Sequence, residues 1–239
     1  MRLPFKETLM TAGCVAILCG LGAWQVQRLE WKNALVQRLE AAYATQGKEI
    51  GLTAESLTTL AVQQNPLGYG SVEGVFLRDK ALLLGPKTQG GKAGYHLIIP
   101  LKTQDNQTLL VNAGWVSELW KDTFEDRMAF LPHNRVFLKG LVRKADWSSF
   151  TSKNSPANDL WFRGDVSEIA KAKALEHVYP FMLYAESAVP DLQDVTLHEK
   201  GWLPRNKHFE YALFWFSMAG VMLGVYGFYV ASLNKKKAP

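Results

Sequence analysis

Apolar and polar residues alternate on short periods along most of the chain, but two runs carry no charge at all. The first, TLMTAGCVAILCGLGAWQV from Thr8 to Val26, covers 19 residues, and the second, YALFWFSMAGVMLGVYGFYVASL from Tyr211 to Leu233, is a little longer. About 20 apolar residues at a helical rise cross a bilayer core of roughly 30 Å. Residues 8–26 and 211–233 are therefore predicted to be two transmembrane helices. After the first run, Gln27 to Gln46 continues without Pro or Gly, and Leu29, Ala34, Leu35, Leu39 and Ala42 recur at helical spacing among Arg and Glu. This pattern predicts an amphipathic helical stalk over 27–48.

The period changes after the stalk. TAESLTTLAVQQ, from Thr53, opens on a capping residue and predicts a short helix ending before Asn65-Pro66. GSVEGVFL, KALLLGP, YHLIIPLKT, TLLVNAGWV and RVFLKGLVR follow, short and rich in apolar and β-branched residues, with Gly, Pro, Asn and Asp between them. They predict strands, with hairpin turns at Arg78–Lys80 and Gln104–Gln107. VYPFMLYAE, from Val178, predicts a late strand, and 118–130 and 166–177 predict helical interruptions. The glycine-rich GPKTQGGKAGY, Gly85 to Tyr95, is followed by a strand pattern where a phosphate-binding loop would need a helix N-terminus, so it reads as a hairpin-like connection. The fold class expected is an α+β membrane protein: two transmembrane helices flank a mostly antiparallel, barrel-like, β-rich extracytoplasmic domain over 49–210, with a basic tail over 234–239.

Charge then sets the orientation. Arg2 and Lys6 precede the first span and Lys235, Lys236 and Lys237 follow the second, which predicts both termini in the cytoplasm and the domain outside. MRLPFK before the first span is too short to be an organelle presequence, and no A-x-A-like site closes the run. The expectation is an uncleaved anchor in a bacterial plasma membrane. Those five cations lie outside the segment between the spans, as does Glu7 among the acids, so that segment is nearly neutral despite the pI of about 9.1. A nucleic-acid surface is not supported. Both cysteines, Cys14 and Cys19, lie within the first span, which excludes a disulfide framework or thiol nucleophile in the domain.

Catalytic patterns are absent: there is no GxSxG, HExxH, P-loop or dinucleotide fingerprint, and His96, His133, His177 and His198 show no metal-ligand spacing. The chain therefore reads as a non-enzyme. Ala12, Ala16 and Gly20, and Gly220 with Gly224, form small-residue rows of the kind that let helices approach. If the spans pair antiparallel, Trp24 and Arg28 lie level with His208 and Tyr211. His208, Tyr211, Ala212 and Trp215 share one face at i, i+3, i+4 and i+7. Residues alone leave two readings of His208. It is a polar residue of the interface, or it is an iron ligand backed by aromatic rings, with Arg205, Lys207 and Arg28 placed to meet propionates.

Six segments, taken in order, carry a resemblance. GAWQVQRLEWK, VEGVFLRDKALLLGPK, GYHLIIPL, LLVNAGWV, NSPANDLWFRGD and RNKHFEYALFWF together resemble the surfeit locus protein 1 family of assembly factors for haem–copper cytochrome c oxidase, over nearly the whole chain. The resemblance implies two spans around a β-rich outer domain and a role in maturing the oxidase catalytic subunit. It also implies binding of haem a through His208 and its handover to the oxidase; a haem a supply machinery is the expected donor, and Tyr211, Trp215, Trp24, Arg28 and Arg205, placed by the helix face and the antiparallel pairing, are expected around the haem. The implied partners are that subunit, that machinery and membrane lipids. A rival reading is a scaffold that stabilises the nascent subunit without touching haem. One departure stands out: the family usually has Arg in VNRGW, where this chain has Ala113.

Overall fold

The computed structural model describes residues 4–44, 51–145 and 147–235. Arg2, Lys236, Lys237 and the last residues of the predicted stalk, 45–48, lie outside them. The chain forms two compact units. One comprises residues up to Arg38 together with those from Leu203 onward, and the other runs from Leu39 to Trp202.

The first unit holds most of helix α1 (Phe5–Tyr43) and all of α5 (His208–Lys235). Both helices are long and apolar enough to cross a membrane. Helix α1 passes without interruption from the uncharged run into the amphipathic segment, as the missing Pro and Gly predict. Its last turn, from Leu39, belongs to the second unit. There Tyr43 OH donates to Glu186 Oε1 at 3.1 Å, and the Tyr43 and Tyr69 rings meet edge to face.

Among the described residues the second unit holds a mixed six-stranded sheet and, besides the end of α1, the helices α2 (Ala54–Ala61), α3 (Phe124–Phe130) and α4 (Val166–Ala172). The strands are β1 (Leu67–Phe76), β2 (Leu82–Gln89), β3 (Lys92–Thr103), β4 (Thr108–Ser117), β5 (Val136–Arg143) and β6 (Val178–Val189). They are ordered β1-β5-β6-β4-β3-β2, and a short second ladder joins the end of β1, Gly74–Phe76, to β3. Pairing thus runs β1–β5–β6–β4–β3 and back to β1, with β2 flanking β3.

Five ladders are antiparallel; β4 with β6 is parallel. A parallel neighbour needs a long crossover, and α3, β5 and α4 together supply it.

Two turns differ in kind. Between β2 and β3 the glycine-rich stretch narrows to Gly90-Gly91, whose φ values of 56° and 78° suit the left-handed positions of a two-residue hairpin turn. Arg78–Lys80, by contrast, is no hairpin: it forms a 3-10 turn, and β1 and β2 do not pair. The Arg78 guanidinium donates to Met128 O and to the His133 ring, and the β1 edge that β2 would need is taken by β5 and β3.

Both faces of the central strands are covered. Leu97, Ile99, Leu101, Leu109, Val111, Phe181 and Leu183 enter the main core with Leu57 and Leu60 of α2. The alternate residues Ile98, Leu110 and Met182 pack on the other face with Trp161 and with Ile169 of α4. Burial on two sides explains why YHLIIPL reads as a continuous apolar run and not as an alternation. Ala113 is fully buried in the main core, so the departure at VNAGW lies in packing and not on the domain surface.

Candidate functional site

The sheltered residues of α1 include a row at alternating steps of three and four, Thr8, Thr11, Val15, Leu18, Gly22, Gln25, Leu29 and Lys32, with Cys14 and Cys19 flanking it. On α5 the same rhythm selects His208, Ala212, Trp215, Ala219, Met222 and Tyr226. A 3.5-residue period is the mark of a knobs-into-holes seam, and the contacts across it run in antiparallel order. The Thr8 hydroxyl meets the Tyr226 hydroxyl, Gly22 faces the Phe216 ring, Gln25 meets His208, and Asn206 Nδ2 donates to Asn33 Oδ1 at 2.8 Å.

The small-residue rows are not part of this seam. Ala12, Ala16, Gly20, Gly220 and Gly224 are exposed, and a Cβ on Gly20, Gly220 or Gly224 would meet nothing within 4 Å. A polar side chain in an apolar helix finds its best partner on the neighbouring helix, so the pairs at Gln25, Asn33 and Thr8 fix the rotation of each helix. Gly22 is the small residue that matters, since a Cβ there would stand 2.7 Å from the Phe216 ring. Gly22→Leu is expected to part the helices. In a chain with Cys14 and Cys19 replaced by Ser, cross-linking of a Thr8→Cys, Tyr226→Cys pair should fall severalfold.

His208 opens α5. Its backbone N–H donates to Asn206 Oδ1 at 3.3 Å, which ties the first turn to the residue that also bonds Asn33. Its Nδ1 lies 2.7 Å from Gln25 Oε1. With the amide oxygen assigned toward the ring, Nδ1 is the donor, and the neutral imidazole then has its lone pair on Nε2.

Around this imidazole the expected residues divide. Trp215 is partly sheltered in the seam, whereas Tyr211 is 53% exposed and faces away from it. Trp24 neighbours Gln25 but is itself exposed, and Arg28 lies over the rings of Trp24 and Trp31 at 5.9 and 5.4 Å. Arg205 is exposed ahead of α5. The antiparallel pairing brings Gln25, which lies between Trp24 and Arg28 in the chain, to His208, and Gln25 is the residue that touches the ring. The Q of GAWQVQ gave no sequence signal beyond being a polar residue at the end of an uncharged run.

In the second unit two histidines that appear isolated in sequence meet. Asn112 Oδ1 accepts from His198 Nε2 at 2.9 Å and Asn112 Nδ2 donates to His96 Nδ1 at 3.1 Å, with the two rings edge to face. Tyr184 packs edge-on against His198, and the Arg143 guanidinium lies 4.1 Å above the Tyr184 ring. Burial pushes His96 down to about 3, helped by His198, Lys87 and Arg143, and pushes His198 down to about 4, helped by Arg143. Both rings are neutral at physiological pH, each in the tautomer the amide dictates. Among the described residues no group of three or more His, Cys, Asp or Glu could hold a metal ion.

NSPANDLWFRGD forms a braced loop. Asn154 Oδ1 accepts from the N–H groups of Phe162 and Arg163, and its Nδ2 donates to Arg163 O and Glu168 Oε2. Trp161, buried, donates to Asp159 Oδ1, while Gly85 N–H donates to Trp161 O along the edge of β2.

These features define a class: two apolar helices paired along a polar-stitched seam, in a chain whose other unit is a mixed β domain. The SURF1 family model matches residues 12–220, and the chain belongs to the SURF1 family. It is 27% identical to a SURF1-like protein of Rickettsia bellii, an alignment covering 97% of this chain and 92% of the relative. It is 30% identical to surfeit locus protein 1 of Xenopus tropicalis, over 83% of this chain and 67% of the frog protein. A SURF1-like protein of Caenorhabditis elegans is 28% identical over 85% of this chain.

Proposed function

We propose that the protein is an assembly factor for haem–copper cytochrome c oxidase that holds haem a at His208 and promotes its insertion into the catalytic subunit. The observation that carries this reading is the Nδ1–Gln25 hydrogen bond, which leaves Nε2 as a lone-pair donor at the end of the helix pair. Haem would supply an iron centre for Nε2. His208 would ligate it, Trp215 and Trp24 would offer ring faces, and Arg28 and Arg205 would pair with its carboxylates. In this reading α1 and α5 span a bacterial plasma membrane, the basic residues at both ends keep the termini cytoplasmic, and the β domain, a small barrel by its circular pairing, lies outside. Haem a is cargo to be handed on, received from the machinery that makes it.

The test is purification in detergent from cells that make haem a. Wild type is expected to carry haem with the spectrum of an imidazole-ligated iron, and His208→Ala to lose nearly all of it. Equal and similarly ligated haem in both proteins would remove His208 from the site.

A second reading has its own support. Phe137 and Val189, partners across β5 and β6, are 53% and 65% exposed, an apolar pair on the domain surface that a bound partner would cover. A scaffold holding the nascent subunit by this surface would co-purify with it even as His208→Ala and without haem a.

A further inference from the structure

The seam contains one polar side chain whose position bears on the chemistry of the site without belonging to the expected ligand shell. Gln25 is 9% exposed and, among the described residues, is the only buried polar residue of α1. It sits between Gly22, which faces the Phe216 ring, and Leu29 on the sheltered row of α1. The His208 backbone is held from the other side by Asn206, itself bonded to Asn33. The ring therefore has a fixed stem and a fixed Nδ1 partner.

We propose that Gln25 is the positioning residue for His208: its carbonyl locks the imidazole in the Nδ1–H tautomer, aims Nε2 outward and sets how strongly that nitrogen donates. This rests on the reading of His208 as an iron ligand. An imidazole on a metal usually gives its second N–H to a carboxylate, a backbone carbonyl or water, and stronger acceptors make it more basic. A side-chain amide is neutral and pulls less on the proton than a carboxylate does. The donor at Nε2 is then of intermediate strength, which suits cargo that must be released. A carboxylate at the same place would hold the iron more tightly and favour the oxidised state.

The experiment uses the full chain in lipid nanodiscs with 15N-labelled histidine, and three proteins: wild type, Gln25→Leu and Gln25→Glu. Without haem, long-range 15N–1H spectra at mildly alkaline pH report the tautomer of His208, assigned by its loss in His208→Ala. Wild type is expected to be Nδ1–H, and Gln25→Leu to lose that preference. With haem added, Gln25→Leu should bind roughly 10–100-fold more weakly, the usual effect of losing such a partner. Gln25→Glu should restore binding, with a lower reduction potential and slower transfer to an apo-haem acceptor. Loss of helix pairing alone would not produce the lowered potential in Gln25→Glu. A wild-type ring in the Nε2–H form, or a tautomer unmoved in Gln25→Leu, would overturn the proposal whether or not haem binds. Haem binding that ignores His208→Ala would instead overturn the ligand reading, while the haem-free spectra still judge the role of Gln25.

Discussion

Taking the protein from pH 7.5 to pH 5 is expected to cost the β domain on the order of 3 kcal/mol, through His96 and His198. Both are buried around Asn112, where His96 is held down to about 3 and His198 to about 4. In the unfolded chain each returns to about 6.5. The folded state thus binds fewer protons than the unfolded state between these values, so stability is fully present above pH 6.5 and drains away as the pH falls toward 4. At pH 5 each histidine shifted this far contributes roughly 2 kcal/mol in a rigid site, and relaxation around the protonated rings brings the pair from about 4 to about 3 kcal/mol. Protonation would also break the bond that His96 Nδ1 accepts from the Asn112 amide.

Glu186 works the other way. Burial raises its carboxyl, although Tyr43 donates to it, and a raised carboxyl favours the folded state at low pH and loses that effect as pH rises. It therefore offsets part of the histidine penalty near its own range. Urea titrations followed by tryptophan fluorescence across pH 5 to 8 should show the slope, and His198→Gln should remove about half of it. A flat profile from pH 8 to 5 in wild type would contradict this account of the node.

Gly140→Ala is expected to destabilise the domain by about 3–5 kcal/mol, a large share of the roughly 5–15 kcal/mol that holds a typical domain folded. Gly140 sits in β5 where the register with β6 shifts. A Cβ there would lie 1.9 Å from Tyr184 O and 3.1 Å from Ala185 Cα, both backbone atoms held in the ladder. No side-chain rotation relieves such a contact, so the strands must separate. The same stretch carries Tyr184, the ring between Arg143 and His198, so damage spreads into the histidine node. Gly90→Ala is the useful contrast. It lies in an open turn with nothing within 4 Å of the added carbon, and its cost is limited to that of a positive φ, about 1 kcal/mol. Thermal melts of the two variants should differ by many degrees; similar melting would show that the β5–β6 bulge yields more easily than its geometry implies.

Much of the architecture is written in local pattern. The length of an uncharged run, the lack of Pro or Gly through Tyr43, the capping threonine before α2 and the Gly90-Gly91 turn each act over a few residues. Transfer free energy and backbone propensity also act over a few residues, so the elements can be read directly.

Long-range closure decided the rest. The β1–β2 connection looked like a hairpin because nothing nearby says that β5 and β3 will occupy the β1 edge. His96 and His198 looked solitary because Asn112, on a third segment, joins them. The small-residue rows promised a helix interface, but the seam turned to where polar side chains find partners, and it brought Gln25 to His208 in place of Trp24 or Tyr211. By itself the sequence determined the two apolar helices, the strands and the histidine at the start of α5. Only the tertiary structure decided which nitrogen of that histidine is left to bind, because tautomer choice depends on one acceptor oxygen on another helix, and no local period encodes it.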